Sequence, residues 1–323
     1  MSSYLGALPI VDFHAHLQGE SHDLGHDYRP PSFEFGPLDH AVGGLLGVAE
    51  PIFYPALDFV ATRLRSRWPR WLYRNLSFLG WKQVGAIFER HRVEDLLVAM
   101  DHNGISHSVI CAIEPFFLTE PIAEAIRPHL DRFSLYCAID PYHPEPASRI
   151  AEIMESCPVH GIKIHPTLTG LNPSEPRMYR LMELAQAHRL PVQVHTGTFP
   201  FDTGGWDDVA LLEPAVRDFP DVTVVMCHTG WDQYRKVLDL GERYPNVMVE
   251  TSWQPAHVIR QAAELLGADR VLFGSDYPLL KQEFALAHLR QALSGEAFAA
   301  VASGNAMRLL GLVPAGAAPA PVG

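Results

Sequence analysis

The stretch Val93-Glu94-Asp95-Leu96-Leu97-Val98-Ala99-Met100-Asp101-His102, followed by Asn103-Gly104 and then Ser108-Val109-Ile110-Cys111-Ala112-Ile113, decides the fold class. Leu96, Leu97 and Met100 fall on one face at helical spacing, and Asn103-Gly104 is a helix stop. The run 108–113 reads as a strand. The same unit recurs to the end of the chain. Further helices are predicted over 122–130, 146–156, 178–188, 209–218, 233–243 and 258–266, with strands over 133–138, 159–164, 191–194, 222–226, 247–249 and 271–273. With an N-terminal strand over 8–13 the count is eight. Strands separated by helices run parallel with helical crossovers. Eight such units over this length fit a closed (β/α)8 TIM barrel. An open doubly wound sheet is the other option, but no Gly-x-Gly-x-x-Gly follows the first strand.

The first unit departs from the pattern. Residues 18–91 form an insertion between the first strand and its helix, polar and rich in Pro and Gly at first. It turns basic and aromatic around Arg63-Leu64-Arg65-Ser66-Arg67-Trp68-Pro69-Arg70-Trp71. A segment this long is usually functional or carries its own structure. It reads as a lid or subdomain over the barrel mouth, or else as an oligomer contact. Its basic-aromatic part reads more readily as a solvated or subunit-facing helix than as a membrane contact. The expected organisation is one domain over 1–311 containing that insertion, and a loose Ala/Pro/Gly tail over 312–323.

The formal net charge of −12 argues against nucleic acid as the main partner, because a phosphate footprint needs clustered Lys and Arg. Cys111, Cys137, Cys157 and Cys227 are scattered, with no Cys-x-x-Cys, and read as small buried hydrophobes rather than a disulfide or zinc framework. No secretory signal and no bilayer-length apolar run is visible, so the expectation is a cytoplasmic protein with no membrane contact. Aromatic residues in the insertion make a homodimer plausible.

The chemistry-bearing residues sit at strand ends. His14-Ala15-His16 closes the first apolar run. Two residues apart on a strand point to one side, so the pair offers two imidazoles to a transition metal. With 17 His in the chain, one His-x-His arises by chance, so the motif is weak alone. His195, His228 and Asp276 end later strands, and a parallel barrel opens all strand C-termini on one face. Lys163 shares a strand face with Gly161 and His165, while Ile162 and Ile164 share the other, which puts Lys163 inside the barrel. Two readings follow from that place: binding of an anionic substrate group, or a salt bridge to Asp12 or Glu250. His165 is a second-metal ligand or a structural strand-end residue, since Pro166 follows it. Asp12, Glu250, Trp231 and Trp253 are candidates for the pocket or for orienting a ligating imidazole. Glu114, Phe116, Asp140, His143 and Asp232 are weaker strand-end candidates. His22, His26 and His40 in the insertion read as solvated.

The order Asp12-Phe13-His14-Ala15-His16, Gly161-Ile162-Lys163-Ile164-His165-Pro166, His195-Thr196-Gly197, His228-Thr229-Gly230, Gly274-Ser275-Asp276-Tyr277-Pro278 and Gly304-Asn305-Ala306-Met307-Arg308-Leu309-Leu310 resembles the amidohydrolase superfamily. The likeness is greatest to its amidohydrolase-related branch, which includes the aminocarboxymuconate-semialdehyde decarboxylase-like enzymes. It covers the chain outside the insertion and the tail. The resemblance implies a metal-bearing TIM barrel in which His14, His16, His195 and Asp276 ligate a divalent metal. Zinc is the first choice, with manganese or iron as alternatives. It also implies that Asp276 carries a proton and that His228 faces substrate, and it opens a third reading for Lys163, carbamylation bridging two metals.

The leading expectation is a hydrolase that attacks a small amide, lactone or ester with metal-activated water. The alternative is a nonoxidative decarboxylase of an aromatic or enoic carboxylic acid, with Lys163, Arg29 or Arg63 as a cationic clamp. A dinuclear iron or manganese–iron redox enzyme and a non-catalytic partner subunit are the remaining readings.

Overall fold

The structure is a computed structural model that describes residues 9–17, 51, 52, 54–56, 58, 59, 87, 88, 91–198 and 205–312. The tail beyond 312, most of the 18–91 segment, and with it Arg29, Arg63, His22, His26 and His40, lie outside the described residues.

Eight parallel strands run in the order β1-β2-β3-β4-β5-β6-β7-β8. They are β1 (Ile10–Ala15), β2 (Ile105–Cys111), β3 (Phe133–Ala138), β4 (Gly161–Ile164), β5 (Val192–Val194), β6 (Val224–Met226), β7 (Val247–Glu250) and β8 (Val271–Leu272). The seven crossovers carry α1 (Val93–Asn103), α2 (Thr119–Ile126), α3 (Pro146–Ser156), α4 (Pro176–His188), α5 (Glu213–Asp218), α6 (Tyr234–Arg243) and α7 (Ala256–Leu266), and α8 (Gln282–Ala292) follows β8. The seam between β8 and β1 is joined by backbone bonds. Phe13 N–H donates to Phe273 O at 2.8 Å, Asp276 N–H to His14 O at 2.7 Å, and His16 N–H to Tyr277 O at 2.7 Å.

Strand alternation divides the apolar residues into two cores. Ile110, Ile162, Val192, Val224, Val247 and Val271 face outward and pack under the helices. Val11, Phe13, Val109, Tyr136, Val225 and Leu272 fill the barrel interior, with Ala306 and Leu310 of the C-terminal segment against them. Complete burial of each large aliphatic side chain contributes about 1.5–3 kcal/mol. Gly161 is paired with Tyr136, and a Cβ at Gly161 would fall 1.8 Å from Tyr136 Cε1. The missing side chain therefore makes room for the tyrosine ring.

Several boundaries differ from the sequence reading by a few residues, and two of the differences have a clear physical reason. Strand β1 runs on to Ala15, with a register shift between Asp12 and Ala15. Phe13 packs in the interior cluster, and its neighbour His14 also reaches interior partners, Lys163 and Glu250, while Ala15 joins the outer core. A bulge of this kind re-aims a side chain, and here it turns both His14 and His16 into the barrel. Strand β2 begins at Ile105 rather than 108 because Ile105 and His107 already pair with β1, while Ser106 Oγ donates to the Ile10 carbonyl across a register shift.

Candidate metal centre

His14 and His16 hold fixed tautomers. His14 Nδ1–H donates to Glu250 Oε2 at 2.9 Å, and Lys163 Nζ donates to His14 Nε2 at 2.9 Å. His16 Nδ1–H donates to the Cys111 carbonyl at 2.8 Å. Both Nε2 atoms therefore carry lone pairs. They lie 3.1 Å apart, and Asp276 Oδ1 stands 3.4 Å from one and 3.2 Å from the other. Three lone-pair atoms this close repel one another unless a cation sits among them. Ligand atoms about 2.0–2.2 Å from a divalent metal stand roughly 3.0–3.5 Å from each other, so the donor set fits such an ion. All three residues are buried.

Glu250 fixes more than His14. Its Oε2 also accepts from the His228 amide at 3.2 Å and from Ser252 Oγ at 2.8 Å, and its Oε1 accepts from the Ser252 amide. Burial pushes its carboxyl up to about 7 against these donors. Asp276 goes the other way. Burial raises its pKa, but His14, the His16 bond and the Trp253 indole N–H at 2.6 Å outweigh it and hold the carboxyl well below the ordinary range.

His195 and His228 form a second pair on the same rim, with His195 Nδ1 3.1 Å from His228 Nε2. His195 stands outside the tight triad, and its ring stacks on His165 at 3.9 Å between centroids. Burial first, then the Lys163 charge, pushes His195 down to about 3. Burial likewise holds His14, His165 and His228 well below the ordinary imidazole value. Neutral imidazoles are the ligating form. His165 N-caps the short helix Pro166–Thr169, its Nδ1 accepting from the Leu168 amide at 3.4 Å. The two His-Thr-Gly loops touch: a Cβ at Gly197, φ +102°, would lie 2.7 Å from the Gly230 carbonyl oxygen.

Lys163 lies in the barrel interior, 3% exposed and in register with the interior residue Gln193. Its Nζ contacts His14 Nε2 and, at 3.0 Å, Cys227 Sγ. The salt bridge to Asp12 or Glu250 that the sequence left open does not form. Asp12 is taken by the Ser275 amide and hydroxyl and by Gln282, while Glu250 is taken by His14, Ser252 and His228. Burial pushes Asp12 up to about 6 against those hydrogen bonds. All four cysteines are free and buried.

Trp231 lies at the mouth, its carbonyl accepting from Gln254 at 3.3 Å. Glu114 meets Arg149 at 3.6 Å and accepts from the Asp140 amide at 3.2 Å. The sequence reading missed Ser252 and the aromatic pair Phe88 and Phe117, whose rings stand 4.5 Å apart beside His16. Phe88 sits in the 18–91 segment, where no sequence periodicity marks it. Ser252 had one signal, its place two residues past a strand-end glutamate. Among the described residues no helix is long and apolar enough to cross a membrane.

The family model for amidohydrolases matches residues 11–312. The chain belongs to the amidohydrolase family. No curated protein matches it. Among solved structures, an uncharacterised TIM-barrel protein from Bordetella bronchiseptica superposes with a TM-score of 0.67 at 20% identity, covering 94% of this chain and 99% of its own. The 5-carboxyvanillate decarboxylase of Sphingomonas paucimobilis gives 0.61 at 17% identity, with 94% and 99% covered. A dihydroxybenzoic acid decarboxylase from Polaromonas, with bound manganese and the inhibitor 2-nitroresorcinol, gives 0.59 at 15% identity, with 94% and 97% covered. At these identities the likeness is one of fold. Amidohydrolases bind divalent metals, and the triad brings together three donors of the type that could hold one.

Proposed function

We propose that this amidohydrolase is a metal-dependent, nonoxidative decarboxylase of a small aromatic or enoic carboxylic acid. One observation carries the reading. The Lys163 ammonium is buried beside the triad, and no carboxylate of the described residues lies within the 4.0 Å of an ion pair. In a low-dielectric site a cation with no carboxylate in contact is costly, and added to a divalent metal it leaves the mouth net positive even against the Asp276 carboxylate. An anionic substrate offsets that charge; a neutral amide or ester does not. The decarboxylases of similar fold support the choice, and so does the manganese of one of them.

His14, His16 and Asp276 would hold the metal, zinc or manganese, with His195 beside them. When bound, the metal supplies Lewis-acid polarisation of the substrate oxygens. Asp276, ionised at rest, would take a proton from the acidic substrate or from solvent and pass it to the carbon bearing the carboxylate. The C–C bond then breaks, its electron pair returns to the ring, and carbon dioxide leaves. His228 faces the substrate across the mouth, and Phe88 and Phe117 exclude water on the His16 side.

The test is carbon dioxide release from a panel of hydroxybenzoic and enoic acids by zinc- and manganese-loaded protein. Turnover on that panel supports the reading. Silence across it, with turnover of lactones or amides, replaces it with hydrolysis at the same triad.

A further inference from the structure

We propose that Ser252 is a positioning residue that sets the tautomers of His228 and His195 through a hydrogen-bonded chain anchored on Glu250. The chain runs Glu250 Oε2 to Ser252 Oγ at 2.8 Å, Ser252 Oγ to His228 Nδ1 at 2.6 Å, and His228 Nε2 to His195 Nδ1 at 3.1 Å.

Its direction follows from proton counting. Backbone amides only donate, and the amides of Ser252 and His228 point one at each oxygen of Glu250. Both oxygens are therefore acceptors. The Ser252 hydroxyl has a single proton, and it must lie toward Oε2, since a bare Oγ 2.8 Å from an acceptor oxygen would be repulsive. Oγ then accepts, so His228 carries its proton on Nδ1. That leaves a lone pair on His228 Nε2, and His195 must donate Nδ1–H to it. His195 Nε2 is left bare. An imidazole nitrogen is available to a cation or an acidic substrate proton only in that form.

The chain explains the local backbone. His228 is held at φ +56°, a region a non-glycine residue rarely adopts, and its carbonyl is gripped by Gln254. Both features turn the ring edge onto Ser252. The inference concerns proton placement in the protein alone and stands whether the substrate is decarboxylated or hydrolysed.

The experiment is ¹⁵N NMR of the full-length, metal-free protein with labelled histidine at pH 8.5. The two rings are assigned through His195→Gln and His228→Gln. In the wild type, both Nδ1 atoms are expected at the protonated shift and both Nε2 atoms at the bare shift. In Ser252→Ala the His228 proton moves to Nε2 and the His195 proton follows to its own Nε2, and Ser252→Thr restores the wild-type pattern. A wild-type His228 protonated on Nε2 overturns the proposal, as does an unchanged pattern in Ser252→Ala. If the alanine variant does not fold, the wild-type spectrum alone decides.

Discussion

Trp253 donates its indole N–H to Asp276 Oδ2 at 2.6 Å, and both residues are held at positive φ, +60° and +63°. The bond caps one carboxylate oxygen and leaves Oδ1 turned to His14 and His16. Six described non-glycine residues have positive φ, and five of them, His228, Thr229, Trp231, Trp253 and Asp276, follow strands β6, β7 and β8 at the mouth. Arg189, the sixth, is only the C-cap of α4. Such strain, about 1–3 kcal/mol per residue, persists where surrounding structure over-determines it.

Removing that indole donor tests what the cap does. Trp253→Phe keeps the ring and loses the N–H. A hydrogen bond to a charged group is worth about 1.5–3 kcal/mol, so kcat/KM is expected to fall roughly ten- to a hundredfold. The visible spectrum of the cobalt-substituted variant should also shift, because Oδ2 becomes free to coordinate. An unchanged spectrum with unchanged rates would show that Asp276 needs no cap.

A metal held by the proposed triad would make binding a stability property. Zinc or manganese at about 100 times its dissociation constant stabilises the folded state by about 2.7 kcal/mol. Thermal unfolding should therefore rise by several degrees on loading and fall back with a chelator. His14→Ala, His16→Ala and Asp276→Ala should each abolish the rise. His165→Ala should retain it, since His165 caps a helix instead. A rise that survives His14→Ala would place the metal elsewhere.

Lys163 separates charge from packing. Lys163→Met keeps the length of the stem and deletes the ammonium. A buried charge replaced by an apolar group of similar volume is often neutral or stabilising, so unfolding free energy should hold or increase. KM for a carboxylate substrate should rise at least tenfold. Retained KM with lost stability would reverse the assignment and make Lys163 a structural residue.

Much of this was legible in the chain because the barrel repeats one local rule. Each strand lies between two apolar layers, so short runs such as Phe133–Ala138 stand out, and that strand and α3 match their expected spans. What was not legible is non-local. The β1 bulge depends on pairing with residues about a hundred positions away, so His14 looked like a residue just past a strand when it lies within one. The placing of Lys163 inside followed from alternation alone, but its partners His14 and Cys227 come from other strands. Ser252 matters only because β6 brings His228 beside it.

Gly161 is a packing prediction. Its Cβ position is filled by the Tyr136 ring, both residues belonging to the barrel interior. Gly161→Ala should destabilise by about 1–3 kcal/mol, the usual cost of overpacking. Combining it with Tyr136→Leu should recover part of that loss, because the double variant removes the clash. Denaturant unfolding of the two single variants and the double would measure the coupling, and strict additivity would mean the ring simply moves aside.

His107 predicts a pH dependence of folding far from the metal centre. It is 6% exposed, with Nε2 2.9 Å from Ser134 Oγ, and burial pushes its pKa down from 6.5 to about 4. Between those two values only the unfolded chain takes up the proton. Stability is therefore full above about pH 6.5 and is lost as the pH falls toward 4. A gap of that size corresponds to about 3 kcal/mol. His107→Gln keeps a polar side chain that does not titrate, so its unfolding free energy should fall less between pH 7 and pH 4 than that of the wild type, by about that amount. Denaturant titrations of both proteins at the two pH values measure the difference directly. Parallel losses in the two would mean that His107 takes up its proton in the folded state as readily as in the unfolded chain.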